Sequence, residues 1–312
     1  MMDYPVESKT VLFNSLYGSI ILLEKSEKEK IIKILQNPQS DEILIDNEEL
    51  KVLCDQKFLI NDNTDEISII EKRKKYGIED KNRLDVVLMP TLNCNFSCNY
   101  CYENHIASSM NDLTERSLIK WLNKGIPKYK FVLIHWYGGE PLLEINRILT
   151  ISGHIQTIAK ANNVGLAIHI TTNGYLLNKK NILDLINCNI IDFQVTLDGS
   201  EKHHDALRVL KNGKATFKKI FQNIINLSMI NSNVKISLRI NFNHTNLDSI
   251  PELLSQFPIK IRKQLRVIFE PIFGNCQISA VDNIETNILF EKLSIYYKLA
   301  ISLSCMNETF ES

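Results

Sequence analysis

The sequence predicts an α/β fold, in which six buried strands alternate with helices, preceded by a small α+β module. From residue 84 onward, short apolar runs rich in β-formers are separated by amphipathic segments of helical period. Strands joined by helices are parallel, with right-handed crossovers, so the architecture is an open doubly wound sheet or a partial barrel. The strand candidates are LDVVLM (84–89), FVLIHWY (131–137), LAIHITT (166–172), IIDFQVTL (190–197), VKISLRIN (234–241) and LRVIFEP (265–271).

Residues 1–80 have a different pattern and are expected to form the separate α+β module. Two segments alternate like short strands, one has helical spacing and one suggests a strand followed by a turn. The charged stretch at 71–83 is expected to be a solvated connector or exposed helix surface. The two strand-like segments are GSIILLE and DEILID, the helical segment is EKEKIIKILQN, and the strand followed by a turn is KFLINDNTDE.

The first helix of the larger region has a start signal. Asp112 is followed three residues later by Glu115, just before the helical segment RSLIKWLNKG. This spacing resembles a capping box, in which the two side chains bond the first backbone amides of the helix. We therefore expect the helix to begin at Asp112.

The charge balance restricts the class of partner. Lys plus Arg and Asp plus Glu both total 36, so the chain has no overall basic field to attract nucleic acid or an anionic membrane. The start, MMDYPVESK, lacks the apolar core of a secretory signal, and no apolar run approaches the roughly 18 residues of a membrane span. A cytoplasmic protein with a small-molecule or peptide partner is predicted, with no nucleic acid and no membrane.

Four motifs follow successive strands of the predicted sheet. Three cysteines follow the first strand, YGGEP (137–141) ends the second, TTNG (171–174) ends the third and TLDGS (196–200) ends the fourth. Because the carboxyl ends of parallel strands meet at one edge of the sheet, these loops are expected to form a single site.

The three cysteines, Cys94, Cys98 and Cys101, have the spacing C-x3-C-x2-C. Such short loops let three thiolates hold one inorganic centre, whereas structural zinc usually takes four ligands in paired hooks. A cluster with three protein ligands leaves one iron open to bind and activate a further molecule. A zinc-binding module is kept as an alternative. The other cysteines are scattered and are expected to be small buried apolar residues: Cys54, Cys188, Cys276 and Cys305.

The C-x3-C-x2-C motif, with Tyr100 before its third cysteine and a GGEP loop downstream, resembles the radical S-adenosylmethionine (SAM) superfamily over residues 84 to about 300. The resemblance implies a partial (β/α)6 TIM-like barrel. It also implies a [4Fe-4S] cluster held by the three cysteines, with SAM chelating the fourth iron. An electron from the cluster would cleave SAM and produce the radical that removes hydrogen from the substrate.

The resemblance further implies which residues bind SAM. The two glycines would admit the backbone to the methionine, Glu140 would accept from the ammonium, and Arg208 would meet the carboxylate or ribose. No acid or base residue is required for SAM cleavage. Asp198, in the loop over the site, and Glu270, at the end of the sixth strand, are candidates for contacting the substrate. The expected SAM-binding residues are Tyr100, Gly138, Gly139, Glu140, Thr172, Asn173, Thr196 and Arg208, with Thr171 nearby.

Residues 195–220 resemble the peptide-modifying branch of the superfamily, which includes SPASM-type peptide maturases and anaerobic sulfatase maturases. The branch implies a precursor peptide as substrate and an electron donor such as flavodoxin or ferredoxin. Residues 1–80 would be a leader-peptide-binding module that resembles a winged helix. Alternatives are a sulfatase-maturase-type protein oxidase and a non-catalytic, cluster-containing partner that recognises peptides.

The sequence departs from this branch after the predicted core domain, residues 84–304. Members usually continue into a cysteine-rich extension with auxiliary clusters, but residues 305–312 match only the start of one. The protein is therefore expected to be truncated or naturally short. Cys276 and Cys305 are too few to hold an auxiliary cluster.

Overall fold

A computed structural model describes most of the chain. The residues described are 2–6, 9–14, 16–38, 48–78, 82–103, 106–230 and 233–272, with Lys292, Ile295 and Tyr296. The predicted strand at 41–46, most of the predicted helix at 287–303, the tail at 305–312, Cys276 and Cys305 lie outside them. The chain divides into two compact units, with the described residues up to Ile78 in the smaller and those from Asn82 to Ile272 in the larger.

In its described residues up to Ile78, the smaller unit combines an antiparallel sheet, in the order β1-β2-β3, with helices α1 to α3. Glu24 and Glu27 form the capping box that begins the first helix, and the Glu24 amide donates to Glu27 Oε2 at 2.8 Å. Five buried apolar side chains form the core: Leu12, Leu23, Ile31, Ile34 and Leu53. The elements are β1 Met2–Val6, β2 Lys9–Asn14, β3 Ser19–Glu24, α1 Lys25–Gln36, α2 Glu48–Asp55 and α3 Glu66–Ile78.

The strand in 18–24 and the helix in 27–37 were predicted correctly, but the strand at 57–60 was not. Lys57 takes a left-handed conformation, with φ of 61°, at the end of α2. The amides of Phe58 and Leu59 then donate back to the Leu53 carbonyl at 2.8 and 3.1 Å. These two side chains therefore pack on the core from a turn.

The larger unit is built on a six-stranded sheet in the order β11-β10-β8-β7-β6-β4, with every neighbouring pair parallel. The predicted alternation of six strands with helices is confirmed. The strands of the unit are β4 Arg83–Leu88, β5 Phe96–Cys98, β6 Phe131–Trp136, β7 Gly165–Thr172, β8 Ile190–Thr196, β9 Arg208–Leu210, β10 Lys235–Phe242 and β11 Leu265–Pro271. Its helices are α4 Asp112–Gly125, α5 Ile145–Ala161, α6 Lys179–Asn187, α7 Glu201–Leu207, α8 Phe217–Ile230, α9 Ile250–Gln256 and α10 Ile259–Arg262, with 3₁₀ turns at Ile126–Lys128, Pro141–Glu144 and Leu247–Ser249.

The two faces of this sheet differ because side chains alternate along each strand. On the helix-covered face, Ile134, Trp136 and Ile170 are fully buried, and the Trp136 indole donates to Ser152 of α5 at 3.0 Å. The opposite face, here called the inner face, carries polar and aromatic side chains. They include His135, Tyr137, His169, Thr171, Gln194 and Arg239.

Helix α4 begins at Asp112 as predicted, but its cap is Asn111, whose side chain accepts from the Thr114 amide at 2.8 Å. Glu115 does not complete a capping box, because Arg147 of α5 binds it and also binds Asp112. Among the described helices of both units, none is long and apolar enough to cross a membrane.

We expect Ile170→Ala to lower the free energy of unfolding of the larger unit by about 2–5 kcal/mol, because it leaves a cavity at a fully buried position of a central strand. Urea unfolding followed by tryptophan fluorescence measures this, since both tryptophans, Trp121 and Trp136, lie in that unit. Ile259→Ala is the matched control, because Ile259 is 66% exposed. Equal effects of the two substitutions would contradict the packing described.

Candidate functional site

The cysteine-containing loop follows β4 and is fixed by a short antiparallel ribbon. Strand β5, inside the loop, pairs with β9 and places Cys98 in register with Arg208. The Lys211 ammonium also donates to Asn93 Oδ1 at 2.8 Å. This ribbon explains how an arginine 110 positions along the chain comes to lie beside the cysteines.

Gly138 and Gly139, which follow β6, pack directly against this loop. A Cβ on Gly139 would lie 2.3 Å from the Asn93 carbonyl oxygen, and one on Gly138 would lie 2.5 Å from that of Thr91. Gly138 also has φ of 120°, which L side chains rarely adopt. The loops after β4 and β6 can therefore approach this closely only with glycine at both positions.

The Glu140 carboxylate is fully buried at the junction of three loops. Its Oε1 accepts from the Thr172 hydroxyl at 2.7 Å and the Leu142 amide at 3.0 Å, and its Oε2 accepts from the Asn173 amide at 2.8 Å. The Glu140 amide donates to the Asn93 carbonyl at 2.8 Å. Burial raises the pKa of this carboxyl group, while the three donors act in the opposite direction.

Tyr100 is held by a buried polar network that includes Asp198. The Tyr100 hydroxyl donates to Asp198 Oδ2 and accepts from Arg208. Asn241 of β10 donates to the same hydroxyl at 3.1 Å, and its backbone amide donates to Asp198 Oδ1 at 2.8 Å. Burial raises the pKa values of both Tyr100 and Asp198. Asp198 is thus committed to protein partners.

These loops surround one cavity of about 210 Å³ in the larger unit. It brings together all three cysteines and seven of the eight residues expected to bind SAM. The carboxylate of the eighth, Glu140, lies behind the wall. Neither Asp198 nor Glu270 lines the cavity. The lining residues are Cys94, Phe96, Cys98, Tyr100, Cys101, Tyr102, Glu103, Tyr137, Gly138, Gly139, Thr171, Thr172, Asn173, Gln194, Thr196, Arg208, Arg239, Asn241, Pro271 and Ile272.

Several polar wall residues were missed in the sequence because they lie within strands rather than in the loops. Gln194 of β8 and Arg239 and Asn241 of β10 occupy alternate positions, between apolar neighbours. In a strand buried on its other face, polar side chains on one face are the signal for a wall of this kind. Arg239 Nε donates to Asn241 Oδ1 at 2.9 Å, so the two side chains are held together.

The donor set fits an iron–sulfur cluster with a polar ligand beside it. Cys94 Sγ accepts from the Phe96 amide at 3.4 Å and has Asn173 Nδ2 at 3.9 Å, and hydrogen bonds to sulfur are typical of such sites. In the described part of the chain, no three His, Cys, Asp or Glu side chains converge as ligands of one metal ion. An iron–sulfur cluster does not require its ligands to converge on one metal ion, since each cysteine binds a separate iron. Within the part of the chain that the structure describes, the buried Arg208 Nε in the wall has no hydrogen-bond partner and can donate to a bound ligand.

The thiols need a metal to ionise at neutral pH. Burial raises the pKa of Cys94 to about 12, and burial also raises the pKa of Cys98. A cationic centre reverses this effect, because thiolate ligation releases the proton.

We expect Gly139→Ala to push the Asn93 carbonyl, and the cysteine-containing loop with it, away from residue 139 and to expose Cys94, which is 6% exposed. Alkylation of Cys94 by iodoacetamide in cluster-free protein, mapped by mass spectrometry, should become at least about tenfold faster as its thiolate is solvated. Gly153→Ala is the matched control, because a Cβ there meets nothing within 4 Å. An unchanged rate in Gly139→Ala would contradict the contact described.

Comparisons with known proteins give two relatives that share part of this sequence. The radical SAM cyclopropyl synthase TigE of Paramaledivibacter caminithermalis is 24% identical over 246 residues, covering 68% of this chain and 50% of that protein. The serine-type anaerobic sulfatase-maturating enzyme of Bacteroides thetaiotaomicron is 31% identical over 143 residues, covering 42% of this chain and 33% of that protein. This chain thus spans half or less of the length of these curated relatives.

A solved structure, native anSMEcpe with bound AdoMet and Cp18Cys peptide, superposes with a TM-score of 0.55 at 18% identity, covering 69% of this chain and 59% of that one. This likeness supports the α/β partial TIM-like fold that was predicted. The Radical SAM superfamily model matches residues 88–257, more than half of the chain. A [4Fe-4S] cluster and SAM are characteristic of this family of enzymes, as predicted. The chain therefore belongs to the radical SAM superfamily.

Proposed function

We propose that this protein is a radical SAM enzyme that abstracts hydrogen from a side chain of a peptide or protein. One observation carries the proposal: three cysteines, a glycine wall and an unpaired buried arginine nitrogen meet in a single cavity. Cys94, Cys98 and Cys101 would hold the cluster. When bound, the cluster and SAM together supply one-electron reduction and hydrogen-atom abstraction.

The residues of the wall would bind and orient SAM. Gly138 and Gly139 let backbone groups approach the ligand, while Thr172, Asn173 and Thr196 offer polar groups at its edge. Arg208 Nε would donate to a ligand oxygen, since it has no hydrogen-bond partner among the described residues. Tyr100 would present its ring, because its hydroxyl is held by Asp198 and Arg208.

Glu140 would act mainly from behind the wall. Three of the roughly four acceptor positions of a carboxylate are occupied by protein donors. The family resemblance implies that the remaining position accepts from the SAM ammonium. By holding Thr172 and Asn173, Glu140 would also fix the geometry on which SAM binding depends.

A groove in the smaller unit supports a peptide as the substrate class. Strand β3 pairs with β2 on one side, and within the described residues its other edge has no strand partner. Beside it lies a cavity of about 470 Å³ with an apolar floor and a charged rim. A leader peptide could add as a strand to β3 and place alternate side chains in the groove. The groove is lined by Ile21, Leu23, Ile31, Val52, Leu53, Glu27, Lys30, Glu48 and Glu49.

The names of the relatives support the same substrate class. One is the sporulation killing factor maturation protein SkfB of Bacillus subtilis, and another is a sulfatase-maturating enzyme. Similarity to the sulfatase-maturating enzyme supports the alternative function, a sulfatase-maturase-type protein oxidase. We further propose residues 1–80 as the leader-binding module, residues 84–304 as the core domain, flavodoxin or ferredoxin as electron donor, and the cytoplasm as location, where cysteines stay reduced.

The test of the proposed function is anaerobic reconstitution with iron and sulfide, followed by assay of 5′-deoxyadenosine after addition of SAM and dithionite. Wild type should bind about four irons and produce 5′-deoxyadenosine, whereas Cys98→Ala should lose most of both because a cluster ligand is removed. Cys188→Ala is the control, since Cys188 is a half-buried thiol after α6 that bonds the Leu149 carbonyl. Wild type that loads the cluster without cleaving SAM would favour a non-catalytic peptide-recognition partner.

For the groove, we expect Val52→Glu to weaken peptide binding at least about tenfold, because it places a charge on the apolar floor. The probes are fluorescent peptides enriched from a random display library on the wild-type chain, and the readout is anisotropy. Ile67→Glu, at a 69% exposed position of α3, is the matched control. Enriched peptides that bind Val52→Glu as tightly as wild type would contradict this assignment.

A further inference from the structure

Four side chains on the inner face of the sheet form a chain of polar contacts across three neighbouring strands, with one close carboxylate–imidazole contact and two hydrogen bonds. Asp192 of β8 lies 3.1 Å from His169 Nδ1, measured from its Oδ1. The His169 Nε2 atom lies 3.3 Å from the Thr171 hydroxyl on the same strand, β7. That hydroxyl is 2.9 Å from His135 Nε2 on β6. The order is therefore carboxylate, imidazole, hydroxyl and second imidazole.

The carboxylate contact sets the direction of the two hydrogen bonds that follow it. Because a carboxylate oxygen can only accept, the 3.1 Å contact with Asp192 Oδ1 places the His169 proton on Nδ1 and leaves Nε2 as an acceptor. The Thr171 hydroxyl then donates its proton to His169 Nε2, and it accepts from His135 Nε2. Burial and the neighbouring His169 lower the pKa of His135 to about 4, so that this ring is neutral at pH 7.

Thr171 is the point where this chain meets the cavity. It lines the cavity together with Tyr137, whose ring makes an edge contact with the His135 ring. The other end of the chain is open to solvent, since the Asp192 side chain is 40% exposed. A proton taken up at Thr171 thus has a route of close polar contacts to water that avoids the cysteines.

We propose that Asp192, His169 and Thr171, oriented by His135, form a proton-accepting path for the substrate of this enzyme. Thr171 contacts the substrate, and the other three are positioning residues that act through it. This inference rests on the proposed function, because it assumes a substrate in the cavity. The arrangement of carboxylate, imidazole and hydroxyl matches the logic by which hydrolase triads activate a hydroxyl group.

The step moves one proton and no electron. A polar group of the substrate gives its proton to the Thr171 oxygen as Thr171 passes its own hydroxyl proton to His169 Nε2. The resulting imidazolium is stabilised by the Asp192 carboxylate and returns to neutrality by losing a proton to water. The substrate class is therefore a peptide whose reacting residue carries an ionisable group.

The first test requires no substrate. In the full chain labelled with ¹⁵N-histidine, long-range ¹⁵N–¹H spectra at pH 7 should show His169 protonated at Nδ1 and His135 protonated at Nε2. Asp192→Asn should turn the His169 tautomer around, because an amide can donate to Nδ1. Asp192→Asn should also shift the His135 signals, because Thr171 bonds both rings. In a Thr171→Val background, Asp192→Asn should no longer shift the His135 signals. Asp184→Asn, at an exposed ion pair with Lys180, should change neither histidine.

The second test uses any peptide that the reconstituted wild type converts. Asp192→Asn should lower product formed per 5′-deoxyadenosine about tenfold or more, with 5′-deoxyadenosine formation itself unchanged, because proton transfer typically contributes about 10²–10⁴-fold. Asp192→Glu should restore part of the loss, and Asp184→Asn should match wild type. A merely structural role would lower both rates together.

The two proposals fail in different ways. A wild-type chain that makes no 5′-deoxyadenosine counts against the proposed function, and the histidine spectra still decide the proton path. If His169 is protonated at Nε2 in wild type, or if Asp192→Asn leaves both the tautomer and the product ratio unchanged, the proton path is overturned.

Discussion

Glu140 joins the loops after β4, β6 and β7 through its carboxylate and its backbone amide, and the geometry of the cavity depends on it. Removing a carboxylate from water costs several kcal/mol, and hydrogen bonds to charged groups each return about 1.5–3 kcal/mol. Glu140 receives three of these, from Thr172, Leu142 and Asn173. Its backbone amide binds the cysteine-containing loop as well. One residue, through its side chain and its backbone amide, thus ties three separate strand ends into a single wall.

A second buried network fixes the opposite side of the cavity. Asp198, after β8, binds Tyr100 in the cysteine-containing loop and Asn241 in β10, and lies 3.7 Å from Arg208. The ribbon of β5 and β9 carries Arg208 to this point. Because both networks are made of side chains with defined donors and acceptors, the site is specified by polar pairing as well as by packing.

Much of this organisation could be predicted from the sequence because it depends on local patterns. The six parallel strands were predicted to within one or two residues, since each is a short apolar run bounded by loop-forming residues. The convergence of the cysteines with the glycines and Thr172 followed from the rule that parallel strands end at one edge. The position of the Glu140 carboxylate behind the wall could not be predicted from this rule, because it depends on donors in another loop. The inner-face residues Gln194 and Arg239 were missed because they occupy strands, where polar residues do not look like motifs.

The alternation of side chains along β7 has a consequence for how such an enzyme can change. Thr172 is tied to Glu140 and the wall of the cavity, whereas its neighbour Thr171 is tied to the two histidines of the inner face. Consecutive residues therefore belong to separate networks, and they share only the backbone between them. Substitutions in one network can accumulate while the other stays intact. A protein lineage could in this way acquire new substrates on an unaltered radical-generating centre.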